Sequence, residues 1–204
     1  MTARDEILDR IRSALVDQPQ PVPVERSYRT ADVTAIETPD VLLELLVDRL
    51  VDYKATVLRA GVDDLPSAVA SAIPSGARFV VPPGLDADWL PPDAVTDTGD
   101  LTPHDLDTFD GVLTACTAAA AETGTIALDG SAGPGRRAIT LVPDLHVCVV
   151  RADQVVQTVP ELIARLDPHR PLTLISGPSA TSDIELHRVE GVHGPRTLVV
   201  ILAA

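Results

Sequence analysis

From Thr38 onward the apolar residues switch repeatedly between two spacings, and this alternation constrains the fold more than any other feature. Val41, Leu42, Leu45, Leu46 and Leu50 recur at helical spacing, behind Thr38 as N-cap and Pro39 at the first helical position. Ala55 to Arg59 then reads as a short strand. Leu65, Val69 and Ile73 return to a spacing of four, and Phe79-Val80-Val81 stops at Pro82-Pro83. Short runs that are apolar throughout suit strands covered on both faces, and intervening helices supply the cover. The expected class is α/β, with an open, mostly parallel sheet and helices on both faces.

The second half continues the pattern. Leu113 to Ala121 is alanine-rich and apolar, fits helix or strand, and ends at Glu122-Thr123-Gly124-Thr125. Ile126 to Leu128 reads as strand, and Gly130 to Gly135 as a mobile glycine-rich loop leading to Arg136 and Arg137. Ile139 to Val142 and His146 to Val150 read as strands broken at Pro143-Asp144. Pro160 to Leu166 is a helix, Leu172 to Ile175 a strand, and Thr197 to Leu202 a last β-branched strand. Between Gly84 and Asp110 aspartates accumulate with no Lys or Arg. The calcium-loop spacing is missing, so this is a solvated loop region.

The N-terminus stands apart. Ile7, Leu8, Ile11 and Leu15 share a helix face, Glu6 and Arg10 pair at i,i+4, and Thr2 with Asp5 forms a capping box. Pro19, Pro21 and Pro23 make a stiff connector. The chain divides into an N-terminal helix and Pro-rich arm, residues 1–26, and an α/β domain, residues 27–204. Packing of the helix on its own domain is the default reading; docking on a partner subunit is the other.

Composition removes several function classes. A net charge of -14 over 204 residues provides no cationic footprint for nucleic acid or an anionic membrane. Lys54 is the only lysine, and so the single candidate for a Schiff base or a phosphate-binding lysine. Cys116 and Cys148 are too few for an iron–sulfur cluster or a four-cysteine zinc site. The N-terminus is charged and lacks an apolar signal core, and no apolar stretch reaches membrane-spanning length, so the expected location is cytoplasmic.

Four places offer chemistry. In Leu172 to Glu185 a strand stops at Gly177 and enters a polar turn whose Ser176, Ser179, Thr181 and Ser182 carry hydroxyls. Strand ends with unpaired N–H groups favour anions, whereas Asp183 and Glu185 oppose them; an ordinary capped turn reads equally well. Gly177-Pro-Ser179-Ala-Thr181 misses the nucleophile elbow, because Thr181 replaces the final glycine. Glu122 suits a partly desolvated base or nucleophile, or simply the C-terminus of a helix with Gly124 beyond it. His146 and Cys148 alternate on one strand face, as two metal ligands without a third or as core residues. His193, between Gly191 and Gly194, is the histidine most open to a ligand. No dinucleotide fingerprint, P-loop or zinc-protease motif occurs.

Ala121-Glu-Thr-Gly-Thr125, Val142-Pro-Asp-Leu-His146, Ile175 to Glu185 (ISGPSATSDIE) and Gly191-Val-His-Gly-Pro195 follow one another in that order. Together they resemble the LUD-domain family, within it the lactate-utilisation C (YkgG-like) group, from about Leu42 to the C-terminus. The resemblance implies a fold similar to the NagB/RpiA/CoA-transferase superfamily. It also implies a part in bacterial oxidation of L-lactate to pyruvate beside iron–sulfur companion proteins, which would carry the clusters while this chain binds no cofactor. Three readings stay open. The first is a subunit binding a small carboxylate or phosphate between Glu122, Thr123, Gly124, Thr125, His146, the 176–185 turn and His193, with Arg136 and Arg137 as clamps. The second is a free-standing isomerase or acyl transferase using Glu122 on sugar phosphates or CoA esters. The third is an assembly module.

Overall fold

The alternation resolves into two sheets rather than one. The computed structural model describes residues 2–16, 22–30, 36, 38–178 and 194–204. In chain order the elements are α1 (Ala3–Ala14), α2 (Pro39–Asp52), β1 (Thr56–Ala60), α3 (Leu65–Ala72), β2 (Phe79–Val81), β3 (Val95–Thr96) and α4 (Pro103–Leu106). There follow β4 (Gly111–Ala115), β5 (Ala118–Ala120), β6 (Thr125–Leu128), β7 (Leu145–Arg151), β8 (Val155–Val156), α5 (Val159–Ala164), β9 (Thr173–Ile175) and β10 (Thr197–Ala203). The main sheet is wholly parallel, in the order β1-β10-β7-β4-β2-β3.

Its central strands are apolar on both sides because both sides are covered, and the period of two sorts their residues. Leu198, Val200 and Leu202 of β10 pack with Cys148 and Val150 against Leu43, Leu46 and Leu50 of α2. Val199, Ile201 and Ala203 face the other way, with Val147 and Val149, onto Leu65 and Val69 of α3. Helices therefore lie on both faces, as the alternation predicts.

The second sheet, β8-β5-β6-β9, is mostly antiparallel and is built from two excursions of the chain. One excursion (β5 and β6) lies between β4 and β7, the other (β8, α5 and β9) between β7 and β10. Ala119, Ile126 and Leu128 turn to the α2 core, while Ala118, Ala120 and Ala127 meet Leu162 and Leu166 at α5. The small residues of β5 let cover approach closely on both sides. The apolar run around Ala118 is thus strand, and the Glu122 region is the turn of the β5–β6 hairpin rather than a helix end.

Two further expectations change. Arg137–Thr140 is a 3-10 turn instead of a strand. Ile139 plugs a cluster with Val80, Leu106 and Val112, and Thr140 Oγ1 donates back to the Arg137 carbonyl at 3.0 Å. α1 forms with its predicted capping box, and Arg10 donates to Glu6 at 2.7 Å. However, α1 buries none of its residues, and Ile7, Ile11 and Leu15 stay exposed, so packing on its own domain is not what the structure has. Lys54 adopts φ +66 beyond the end of α2, where it helps terminate the helix. Among the described residues no helix is long and apolar enough to cross a membrane.

Candidate functional site

Parallel sheets usually place ligands at the carboxyl ends of their strands. Here the candidate cavity lies at the opposite edge. A hollow of about 470 Å³ opens where β7 and β10 begin, at His146 and Leu198, with Tyr53 just ahead of β1. Ile175, Ser176 and Gly177, at the carboxyl end of β9, close its far side, and Arg137 and Thr140 come from the 3-10 turn. A groove of about 580 Å³ beside α3 and Trp89 is larger, but holds none of the motif residues.

Strand pairing assembles the motifs. β6 runs antiparallel to β9 with Ile126 opposite Ile175, which sets Thr125 beside Ser176. A chain of hydroxyls results: Thr123 Oγ1 lies 2.8 Å from Thr125 Oγ1, which lies 2.9 Å from Ser176 Oγ on the cavity wall. Gly177 has φ +79, and a Cβ there would come within 2.5 Å of the Tyr53 carbonyl oxygen. Only glycine combines that backbone with so close an approach.

His146 is fully buried, and its Nε2 lies 2.8 Å from Thr114 Oγ1. Burial lowers its pKa to about 4, so the ring is neutral at pH 7. Cys148, beside Thr114 at 3.8 Å, has its thiol pushed up to about 12 by burial. Among the described residues no group of three His, Cys, Asp or Glu could hold a metal ion, so His146 and Cys148 gain no third ligand there. The only charged side chain among the described lining residues is Arg137.

Other expected site residues lie elsewhere. Arg136 does not line the cavity: its guanidinium donates to both oxygens of Asp97, at 2.6 and 2.9 Å, and to the Leu101 carbonyl at 2.7 Å. The buried carboxylate beside it raises its pKa. The two neighbouring arginines thus divide, one bracing a loop and one among the residues that line the hollow. Glu122 also stays out of the cavity. Its Oε1 accepts from Gln157 Nε2 at 2.9 Å, and its carbonyl from Arg49 Nε at 3.2 Å. Gly124, at φ +58, brings that turn against α2, where a Cβ would meet Arg49 Cβ at 2.9 Å. The Glu122-Thr-Gly-Thr125 motif therefore joins the hairpin to α2 and supplies Thr123 and Thr125 to the hydroxyl chain. Ser179, Thr181, Ser182, Asp183, Glu185 and His193 lie outside the described residues; Pro178 and Gly194, on either side of that segment, both line the cavity. Tyr53 and Thr140 escaped sequence reasoning because each enters from a different element with no motif around it.

The model of the LUD domain matches residues 85–203, which include Arg137, His146 and Ser176. Lactate utilization protein C of Deinococcus radiodurans is 46% identical over 195 residues, covering 93% of this chain and 86% of that protein. The uncharacterized protein YkgG of Escherichia coli is 33% identical over 89 residues, 40% of this chain and 38% of that one. A crystal structure of a DUF162 family protein from Deinococcus radiodurans superposes with a TM-score of 0.72 at 42% identity, covering 82% of this chain and 99% of that chain.

Proposed function

The chain belongs to the LUD-domain family, and on that premise we propose that it serves L-lactate utilisation by binding a small carboxylate in the cavity between β7, β9 and β10. The observation that carries this reading is Arg137. In a chain with net charge -14, the charged residue among the described cavity walls is an arginine, with no Asp or Glu beside it there. Arg pairs with a carboxylate through two parallel N–H donors, and Ser176 and Tyr53 on the same walls bring hydroxyls for further oxygens. The neutral His146 ring adds no second charge. Electrons from lactate then pass to iron–sulfur companion proteins, and this chain contributes recognition.

The test is calorimetric titration of the purified protein with L-lactate and pyruvate. Arg137→Gln should weaken binding by about 10- to 100-fold, the value of a charge-assisted pair. Glu122→Gln should leave binding unchanged. No binding to the wild-type protein, or equal binding by Arg137→Gln, refutes the reading. Turnover of sugar phosphates or CoA esters by the chain alone, lost in Glu122→Gln, would favour the isomerase or transferase alternative.

A second role is supported by α1, whose Ile7, Ile11 and Leu15 are exposed on one amphipathic helix. In that role the helix holds an iron–sulfur companion. Removing residues 1–25 should abolish co-purification with the companion and leave carboxylate binding intact.

A further inference from the structure

One residue bordering the cavity holds a buried polar atom that the described fold leaves unsatisfied. His146 is 1% exposed yet borders the cavity, and among the described residues its Nδ1 has no hydrogen-bond partner. Its strand neighbours in register are Val112 on β4 and Leu198 on β10, so an apolar side chain would suit the position. Burying an imidazole nitrogen without a partner lowers stability, and such a group in a native protein calls for a ligand or another explanation.

Thr114 Oγ1 bonds the other ring nitrogen, and which of the two atoms carries the proton depends on the tautomer. Its hydroxyl has one proton to give, to His146 Nε2 at 2.8 Å or to Cys148 Sγ at 3.8 Å. The imidazole nitrogen is closer and the stronger acceptor. Cys148 stays protonated, because burial pushes its thiol up to about 12, and its sulfur is the more distant and weaker acceptor for the Thr114 hydroxyl. In the tautomer where Nε2 accepts the hydroxyl proton, the ring proton resides on Nδ1. In that tautomer the unsatisfied atom is a neutral donor, suited to an uncharged or weakly charged oxygen, whereas Arg137 suits a full negative charge.

We propose that His146 Nδ1–H is the second anchor of the site, donating to an oxygen on the carbon next to the carboxylate held by Arg137. The site then selects 2-oxo and 2-hydroxy acids over plain carboxylates. This inference rests on the carboxylate reading above. A ligand lacking the second oxygen leaves Nδ1–H buried and unpaired, and sites of that kind reject such analogues strongly.

The experiment compares propionate, pyruvate and L-lactate on the full chain by titration, with the His146 nitrogens followed by NMR. Pyruvate and lactate should each bind at least about tenfold more tightly than propionate, the effect of one buried hydrogen bond. The bound ring should carry its proton on Nδ1. His146→Phe should erase the preference, and His146→Asn, whose amide also offers a donor, should restore part of it. If neither variant folds, the wild-type ligand series and nitrogen shifts decide. Equal affinity for all three acids, each lost in Arg137→Gln, overturns the role of His146 and leaves the carboxylate reading standing. A bound ring protonated on Nε2 also overturns it. Failure of every acid to bind overturns the carboxylate reading, and this inference with it.

Discussion

Gly177→Ala tests whether the contact between β9 and the end of α2 shapes the cavity. Gly177 has φ +79, and a Cβ would lie 2.5 Å from the Tyr53 carbonyl oxygen and 2.6 Å from Tyr53 Cβ. Gly76 has nearly the same backbone, φ +78, but a Cβ there meets nothing within 4 Å. Left-handed backbone costs an alanine about 1–2 kcal/mol at either position. Overpacking adds about 1–3 kcal/mol at Gly177 alone, because the atoms in the way are backbone and Cβ rather than a flexible tip. A chain of this size loses about 2–4 °C of Tm per kcal/mol. Gly76→Ala should therefore lower Tm by about 2–8 °C, and Gly177→Ala by on the order of 10 °C with weaker carboxylate binding. Thermal unfolding followed by circular dichroism reads the difference. Equal shifts for the two variants would refute the claim that Gly177 is set by its approach to Tyr53.

Three other outcomes are expected. The folded His146 has a pKa of about 4 against an ordinary 6.5, so between those values the unfolded chain binds a proton that the folded chain excludes. Stability should fall by about 3 kcal/mol on acidification from pH 6.5 to 4 and level off below, a slope that urea titrations should find missing in His146→Phe. Asp144 and Asp153, whose pKa values are lowered by Arg196 and Arg151, add their loss only below about pH 4. Asp97→Ala removes the partner of Arg136 at a buried carboxylate and should cost about 2 kcal/mol in urea denaturation without altering carboxylate affinity; a loss of affinity would place Arg136 at the site after all. Deleting residues 1–16 should leave Tm within about 1–2 °C, since α1 buries nothing, and a larger drop would mean the helix packs on the domain.

The elements legible in the sequence are those whose residues face a continuous core. Leu46 and Leu50 on α2, Val147 and Val149 on β7, and Val199 and Ile201 on β10 carry their periodicity openly. Alanine concealed the rest: Ala118, Ala119 and Ala120 suit helix and strand alike, and only pairing with β6 decides. The apolar run at Ile139 misled because one buried side chain in a 3-10 turn resembles a short strand. Of the residues that the motifs single out, Ser176 lines the cavity and Thr125 bonds to it. Adjacent arginines could not be told apart without knowing that Asp97 captures Arg136. Tyr53, Thr140 and Leu198 meet across the fold through strand order, which no local pattern records.

The most direct test of the carboxylate site is a crystal structure of the protein grown with L-lactate. The acid should lie in the hollow between β7, β9 and β10, its carboxylate facing the Arg137 guanidinium and its hydroxyl at His146 Nδ1. An acid bound elsewhere, or a hollow filled by the protein's own side chains while the acid stays in solution, would contradict it.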